Sequence, residues 1–504
     1  MSGKDKVDVL LINPGSRAAV YQELGKDFSA IEPPSLAALF ATYLRRKGMS
    51  VVIIDAPAHN LSPQAVATAV NETFDPTLIA VVVYGFQPSA STSNMPAASE
   101  TCRHLKELNP NYRILMTGTH PAALPQRTLQ EEAIDFVCDR EGPQTIYETT
   151  RALKAGSSDF GNVPSLWYRR GGLILNTPAG VLLEDLDGEM PSAAWDLLPM
   201  NKYRAHNWHC FESIHDRQPY ASIHTSLGCP YRCSFCCINA PFGKSSYRMW
   251  SPDTVIEEIG VLVERYGVKN IKFVDEMFVL NRQHVLGICD RIIERGYDLN
   301  IWAYARVDTV KDEFLDKLNR AGFRWLALGI ESGSKHVRDG VEKGRFGTSE
   351  IIDVVRKIQN AGINVIGNYI FGLPDDTLET MQETLDLALE ANCEFANFYA
   401  AMAYPGSQLY QQAVEKGWKL PDSWIGFSQH SFETTPLPTE TLPGAEVLRF
   451  RDEAFMRYFT HPRYLDYAGR KFGPDVLAHI KDMTQIKLKR QLYGTQDAVV
   501  RASA

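Results

Sequence analysis

Three cysteines fall within eight residues in Cys229-Pro-Tyr-Arg-Cys233-Ser-Phe-Cys236, with gaps of three and two. A loop this short aims three thiolates at one face of a metal cluster. Thiolates are the usual protein ligands of iron–sulfur clusters, and complete protein ligation takes four of them. Three ligands leave one iron open to a small molecule. A structural zinc site prefers four ligands in two pairs, and the sequence offers no matching second pair. Cys237 directly follows Cys236 and reads as a buried bystander pointing elsewhere.

The elements that must carry this loop alternate between strand and helix patterns. The apolar stretch 221–227 reads as a strand leading into the cysteines. Ser251-Pro252 predicts a helix start, with a capping serine and proline at the first helical position. Val255, Ile259, Leu262 and Tyr266 form its buried stripe, and Gly267 ends it. Further strands are predicted over 271–274, 301–307, 325–330, 365–371 and 394–402. Helices near 285–295, 312–321, 350–361, 378–391 and 408–416 separate them. Six βα units make a partial parallel barrel, whose active site lies at the carboxyl ends of its strands. In order, that rim carries the cysteines, then Asp275-Glu276, Arg306, Glu331 and Asn368. Polar groups in otherwise apolar strands need partners, because leaving one buried and unsatisfied costs about 1–3 kcal/mol.

The cysteine spacing, "GIESGS" from Gly329 and "FGLPDDT" from Phe371 resemble the radical S-adenosylmethionine (SAM) enzymes, in which SAM chelates the open iron of a four-iron four-sulfur cluster. The resemblance covers about residues 216–417 and implies the fold named for that family. Against SAM, Arg306 suits the carboxylate, since a guanidinium binds it through two hydrogen bonds. Glu276 and Glu331 suit the ammonium or the ribose hydroxyls, with Asn368 beside them. Phe235 resembles the aromatic that packs against adenine. A purely structural Arg306–Glu331 ion pair is the competing reading.

The N-terminal third has the same rhythm. Strands are predicted over 7–13, 51–55, 78–85, 113–117 and 135–138, with helices near 35–47, 62–74, 97–108, 124–132 and 143–155. Fully apolar strands alternating with helices imply a doubly wound, flavodoxin-like parallel sheet covered on both faces. Ligands of such sheets sit beyond the carboxyl ends of the strands. Those ends carry Asn13-Pro14-Gly15, Tyr84-Gly85, Gly118-Thr119-His120 and Glu141-Gly142, and glycine lets a ligand approach the backbone. "IEPPSLAALFATYLRRKG", "TGTHPAALP" and "DREGPQTI", in this order before the cysteine loop, resemble the cobalamin-binding domain of cobalamin-dependent radical SAM enzymes. That makes Tyr84, Gly118, His120, Glu141 and Gly142 the candidate corrinoid contacts. The mutase signature Asp-x-His-x-x-Gly is absent; Asp55-Ala-Pro-Ala-His59 has the wrong spacing, so no cobalt-ligating histidine is expected from it.

Four regions result: a cobalamin-binding domain (1–155), a connector (156–215), a radical SAM core (216–417) and a mainly helical C-terminal region (418–504) that closes the substrate pocket. The connector should contain a hairpin turning at Gly171-Gly172, then an extended linker over 185–199. His206, Trp208, His209 and Cys210 lack ligand spacing and pack under a loop. The C-terminal region opens on an aromatic-rich segment, a lid or a small second core, with helices near 445–459 and 474–492 and a frayed tail after Gly494.

Composition agrees with a soluble, cytoplasmic α/β protein of 504 residues. The chain is 44% hydrophobic and 22% charged, and its net charge of −8 lacks a basic block, so nothing calls for nucleic acid. Apolar runs are strand-sized, short of a membrane span. The N-terminus lacks a secretion signal, and nine cysteines then suggest a reducing compartment. The resemblance implies a cobalamin-dependent radical SAM methyltransferase. One SAM methylates the corrinoid; a second yields the 5′-deoxyadenosyl radical that activates an unactivated carbon of a small-molecule substrate. An electron donor such as flavodoxin or ferredoxin is implied as partner. Radical cyclisation or rearrangement with the same cofactors stays open, and so does a cobalamin-sensing regulator.

Overall fold

The computed structural model describes residues 4–15, 17–85, 87, 89–344 and 346–493. The first sheet contains β1 (Asp5–Asn13), β2 (Val51–Asp55), β3 (Phe74–Val83), β4 (Ile114–Gly118), β5 (Phe136–Cys138), β6 (Leu166–Arg170) and β7 (Leu173–Asn176). Their order is β2-β1-β3-β4-β5-β6-β7, parallel through β5 and antiparallel beyond it. Both faces are buried: Val9 and Leu11 enter one apolar core, Leu10 and Ile12 the other. The hairpin turns at the expected glycines, yet it extends this sheet rather than standing between domains.

The second sheet is parallel and six-stranded. After β8 (Tyr220–Ile223), β9 (Ser226–Leu227) and β10 (Arg248–Met249) form a small antiparallel pair. Then come β11 (Asn270–Phe273), β12 (Asn300–Arg306), β13 (Phe323–Glu331), β14 (Asn364–Phe371) and β15 (Phe395–Ala400). The order β15-β14-β13-β12-β11-β8 follows the chain, as a partial barrel requires. Ser251 caps helix Pro252–Tyr266 through Thr254 N, and Gly267 closes it in the left-handed region.

Four expectations are corrected. The first barrel strand stops at Ile223, because Asp275 draws the next residues out of the sheet: Thr225 N (2.6 Å), Thr225 Oγ1 (2.5 Å) and Ser226 Oγ (2.8 Å) all donate to it. The helix expected from Ala97 begins at Ala90 and carries Pro96 inside it. Segment 185–199 is docked rather than extended: Trp195 is buried, and Glu258 accepts from Ala193 N, Ser192 Oγ and Trp195 Nε1. At the C-terminus, helix Gly444–Phe459 is followed by Pro462–Phe472, unforeseen from sequence, and by Pro474–Gln485, which ends seven residues short of Leu492. The expected frayed tail lies outside the described residues.

Trp208 packs edge-on against Trp302 and Trp325 at the barrel floor, and His209 Nε2 lies 3.0 Å from Asn300 O. Polar pairs bind the halves together. Arg248 reaches Glu141 (2.5 Å), Lys272 reaches Glu32 (3.0 Å), and Tyr203 OH donates to Asp55 (2.7 Å). Among the described residues no helix is long and apolar enough to cross a membrane.

Candidate active site

The cysteine loop forms one wall of an open cavity of about 1280 Å³ at the barrel mouth. Cys229, Cys233 and Cys236 line it, together with Phe235, Glu276, Arg306, Glu331 and Asn368. The fold thus brings every residue proposed for cluster or SAM to one space. Cys237 also lines it, which corrects its placement as a bystander pointing elsewhere. Among the described residues no three His, Cys, Asp or Glu side chains converge closely enough for a single metal ion. Donors spread along a wall suit a cluster, which offers a separate iron to each thiolate. Burial pushes the Cys229 thiol up to about 11 and raises the Cys236 thiol as well, so a bound metal centre is what would hold them as thiolates.

Arg306 and Glu331 are not paired with each other, as the structural reading required. Arg306 Nε and Nη2 lie on the Asp308 carboxylate (2.9 and 3.1 Å), and Nη2 also donates to Lys343 O. Its Nη1 is 3.7 Å from Cys233 Sγ, and its guanidinium covers the Tyr231 ring at 3.8 Å. Glu331 pairs instead with Lys343 (2.6 Å), each side chain only 8% exposed. Glu331 sits at φ +66°, where β13 slips register against β14. A left-handed, non-glycine residue at a strand end marks strain retained beside a site. Lys343 was not singled out from sequence, because nothing local marks a lysine in a loop as a partner for a strand twelve residues earlier.

Glu276 has no hydrogen-bond partner among the described residues, and burial, aided by Asp275, pushes its carboxyl up to about 7. Asn368 is held between Leu328 O (3.1 Å) and Asn397 Nδ2 (3.0 Å). Phe235 packs beside Val337 and Leu373 on one side and Leu409 on the other. The "FGLPDDT" turn owes its shape to Asp376, which accepts from Gly372 N (2.9 Å), Leu373 N (3.0 Å) and Thr380 Oγ1 (2.7 Å).

A second cavity, about 1070 Å³, lies beyond the carboxyl ends of β1 and β3, between Asn13-Pro14-Gly15, Tyr84 and the C-terminal residues Phe427–His430. A third slot, about 670 Å³, separates Tyr84, Thr119 and Glu141 from Ser226, Phe242 and Glu276. A fourth occupies the barrel interior. Gln87 lines all four, and Tyr399, Tyr404 and Gln429 line both the first and the second. The facing ends of two parallel sheets therefore line neighbouring open cavities that share wall residues beside the cluster loop.

Of the corrinoid candidates, Tyr84 and Glu141 line these spaces. Tyr84 OH donates to Glu141 O (2.8 Å), and the Glu141 carboxylate serves Arg248 and Leu183 N. Gly118, Gly142 and His120 line none of the four. Gly118 (φ +148°) lies so close to β3 that a Cβ would collide with the Val83 carbonyl. Gly142 (φ +115°) leaves room for the Phe40 ring. His120 is 2% exposed, 3.2 Å from Thr92 Oγ1, beneath Trp424 at 4.4 Å; burial holds it at about 3, neutral. The aromatic C-terminal segment thus straps the first domain while Phe427 walls the cavity. His59 is exposed, away from these spaces.

Residues 223–388 match the radical SAM superfamily model, and residues 26–149 match the B12 binding domain model. An uncharacterized methyltransferase of Pyrococcus horikoshii is 30% identical over 461 residues, spanning 91% of this chain and 93% of that protein. The anaerobic magnesium-protoporphyrin IX monomethyl ester cyclase of Rubrivivax gelatinosus is 26% identical over 92% of this chain and 79% of its own. Two solved structures share the fold. The radical SAM methyltransferase TsrM from Kitasatospora setae, with cobalamin and a 4Fe-4S cluster bound, superposes at TM-score 0.64 and 19% identity, covering 82% of this chain and 75% of its own. The cobalamin-dependent radical enzyme OxsB, with aqua-cobalamin and SAM bound, reaches TM-score 0.69 at 15% identity, covering 96% and 72%. A thiol-lined barrel mouth facing a corrinoid-type sheet, in a chain this close to its relatives from end to end, gives one conclusion: the protein belongs to the cobalamin-dependent radical SAM enzymes, which work with a 4Fe-4S cluster, S-adenosylmethionine and cobalamin.

Proposed function

We propose that this enzyme transfers a methyl group to an unactivated carbon of a small molecule, with Cys229, Cys233 and Cys236 as the three ligands of its cluster. The observation that carries this reading is the neighbouring pair of cavities, one walled by the cysteine loop and one by the strand ends of the first sheet. When bound, the cluster with SAM supplies a hydrogen-abstracting radical and the corrinoid supplies the methyl group.

The chain's own part is placement and exclusion of water. Glu331 and Lys343 offer adjacent charges of opposite sign, which suits the ammonium and carboxylate of one amino acid end. Arg306 fixes the Lys343 carbonyl and presents Nη1 toward Cys233. Glu276, which has no hydrogen-bond partner among the described residues, can accept from a hydroxyl or ammonium, and Phe235 offers a ring to adenine. Tyr84 and Glu141 form part of the corrinoid platform. A reduced flavodoxin or ferredoxin is the expected electron donor, in a reducing cytoplasm.

Anaerobically reconstituted enzyme given methyl-labelled SAM should yield labelled product. Cys233→Ala should lose both the iron–sulfur absorbance and 5′-deoxyadenosine formation; continued formation would remove the ligand assignment. A second reading, radical cyclisation, is favoured by the near full-length similarity to a protein named as a cyclase. It predicts an unlabelled, rearranged product.

A further inference from the structure

Between β1 and helix Ser35–Arg46 the chain makes a long excursion whose residues 17–34 meet the barrel where Lys272 pairs with Glu32 and Ser222 Oγ donates to Pro33 O. Arginines pin it. Ile31 and Arg204 exchange backbone hydrogen bonds (3.0 and 3.1 Å), and Arg204 Nη2 donates to Lys26 O. Arg217 donates to the carbonyls of Ala205 (2.8 Å), Asp27 (2.5 Å) and Ser29 (3.0 Å).

Arg204 also leaves its Nε idle, but Arg17 makes no side-chain hydrogen bond at all among the described residues. It lines the strand-end cavity, and its Nε and Nη1 are shielded from solvent without a hydrogen-bond partner. No described carboxylate lies within ion-pair distance of it. The acids of the excursion serve other cations: Glu23 pairs with Lys26 (2.6 Å), Glu32 with Lys272 (3.0 Å), and the Asp27 charge acts on Arg204 and Arg217. Arg204 adds like charge nearby, and burial together with that charge holds Arg17 below the ordinary arginine range. Guanidinium nitrogens shielded from water and left without acceptors are costly unless an anion completes them. Its planar fork matches a carboxylate or phosphate. From Arg17 the cavity runs past Tyr21 to Tyr399, which also walls the cluster cavity.

We propose that Arg17 receives an anionic oxygen group, carboxylate or phosphate, at the end of a small-molecule substrate whose carbon skeleton lies along Tyr21 and Tyr399 toward the barrel mouth. This rests on the small-molecule reading above. The nucleotide phosphate of cobalamin offers the same chemistry from another source, so the test separates the two.

Holoprotein carrying cluster and cobalamin is titrated with inorganic phosphate and with acetate by calorimetry, at ionic strength held constant with chloride. Arg17→Gln should weaken the tighter of the two anions about ten- to hundredfold, the effect of losing a charged hydrogen-bonded contact. Arg17→Lys, which keeps the charge and loses the fork, should fall between. In parallel, cobalamin and cobinamide, which lacks the nucleotide phosphate, are titrated into apoprotein and followed by corrinoid absorption. Both affinities should be unchanged in either variant. The proposal is overturned if the wild type binds neither anion, or if both variants bind as the wild type does. It is equally overturned if the variants lose cobalamin affinity while cobinamide is unaffected. Should Arg17→Gln fail to fold, Arg17→Lys decides alone by the same readings. Neither measurement depends on turnover, so an unlabelled product in the methyl-transfer experiment would remove that reading and leave this one standing.

Discussion

Arg306 and Lys343 act as a relay at the barrel mouth, because one holds the backbone of the other. Removing the guanidinium in Arg306→Ala frees the Lys343 carbonyl and loosens the Lys343–Glu331 pair. We expect SAM affinity to fall about tenfold, with the iron–sulfur absorbance retained, as checked by equilibrium binding to reconstituted protein. Lys343→Met should fall at least as far, since it strands Glu331 as a buried charge. Unchanged affinity in both would return the pair to a structural role.

At the scale of elements, close approach of strands dictates Gly118. Its φ of +148° and its position against the Val83 carbonyl leave no room for a side chain on either count. Gly118→Ala must separate β3 from β4 or bend the chain where it leaves β4, and we expect several kcal/mol of lost stability. Gly48, at φ +82° with open space around it, provides the comparison. Gly48→Ala should cost only about 1 kcal/mol, the conformational part alone. Melting temperatures of the two variants check the difference. Helix Pro252–Tyr266 carries another consequence. Burial pushes the Glu258 carboxyl from its ordinary 4.5 up to about 7, although three donors on the docked segment oppose the shift. Between those pH values the folded chain keeps a proton that the unfolded chain has released. The Glu258 contribution to stability is therefore fullest below about pH 4.5, falls as pH rises to about 7, and levels off above. Glu258→Gln should make that fall shallower, by up to roughly 3 kcal/mol across the window, as read from melting curves against pH.

Across the whole molecule, the two sheets are held with their strand ends facing by buried polar struts rather than by a flexible tether. Arg248 and Glu141 side chains are 7% and 10% exposed, and Arg248 also donates to Leu183 O (2.6 Å). Arg248→Met leaves Glu141 buried without its partner, at an expected cost of about 3–5 kcal/mol. The double variant Arg248→Met/Glu141→Gln should recover part of that loss. Because Glu141 also faces the interdomain slot, corrinoid affinity should fall in the single variant along with thermal stability. Loss of stability without loss of corrinoid binding would show that the strut and the platform are independent.

Much of this architecture was legible in the chain itself. Strand runs, helix caps such as Ser251 and the thiol spacing of the cysteine loop are each written within a dozen residues, where periodicity and local hydrogen bonding act directly. For that reason β2 and helix Leu378–Ala391 match their expected bounds. Pairings across long stretches of sequence were not legible: Lys343 with Glu331, Arg248 with Glu141, Trp424 over His120, Asp275 gathering Thr225 and Ser226. Each depends on where two distant segments meet, and any acidic or basic residue of similar exposure looks the same in one dimension. His120 and Gly118 carry the same lesson. Their motif pointed to a ligand, and the neighbours the fold gives them are Trp424 and β3, because which neighbours a residue has is a property of the folded chain.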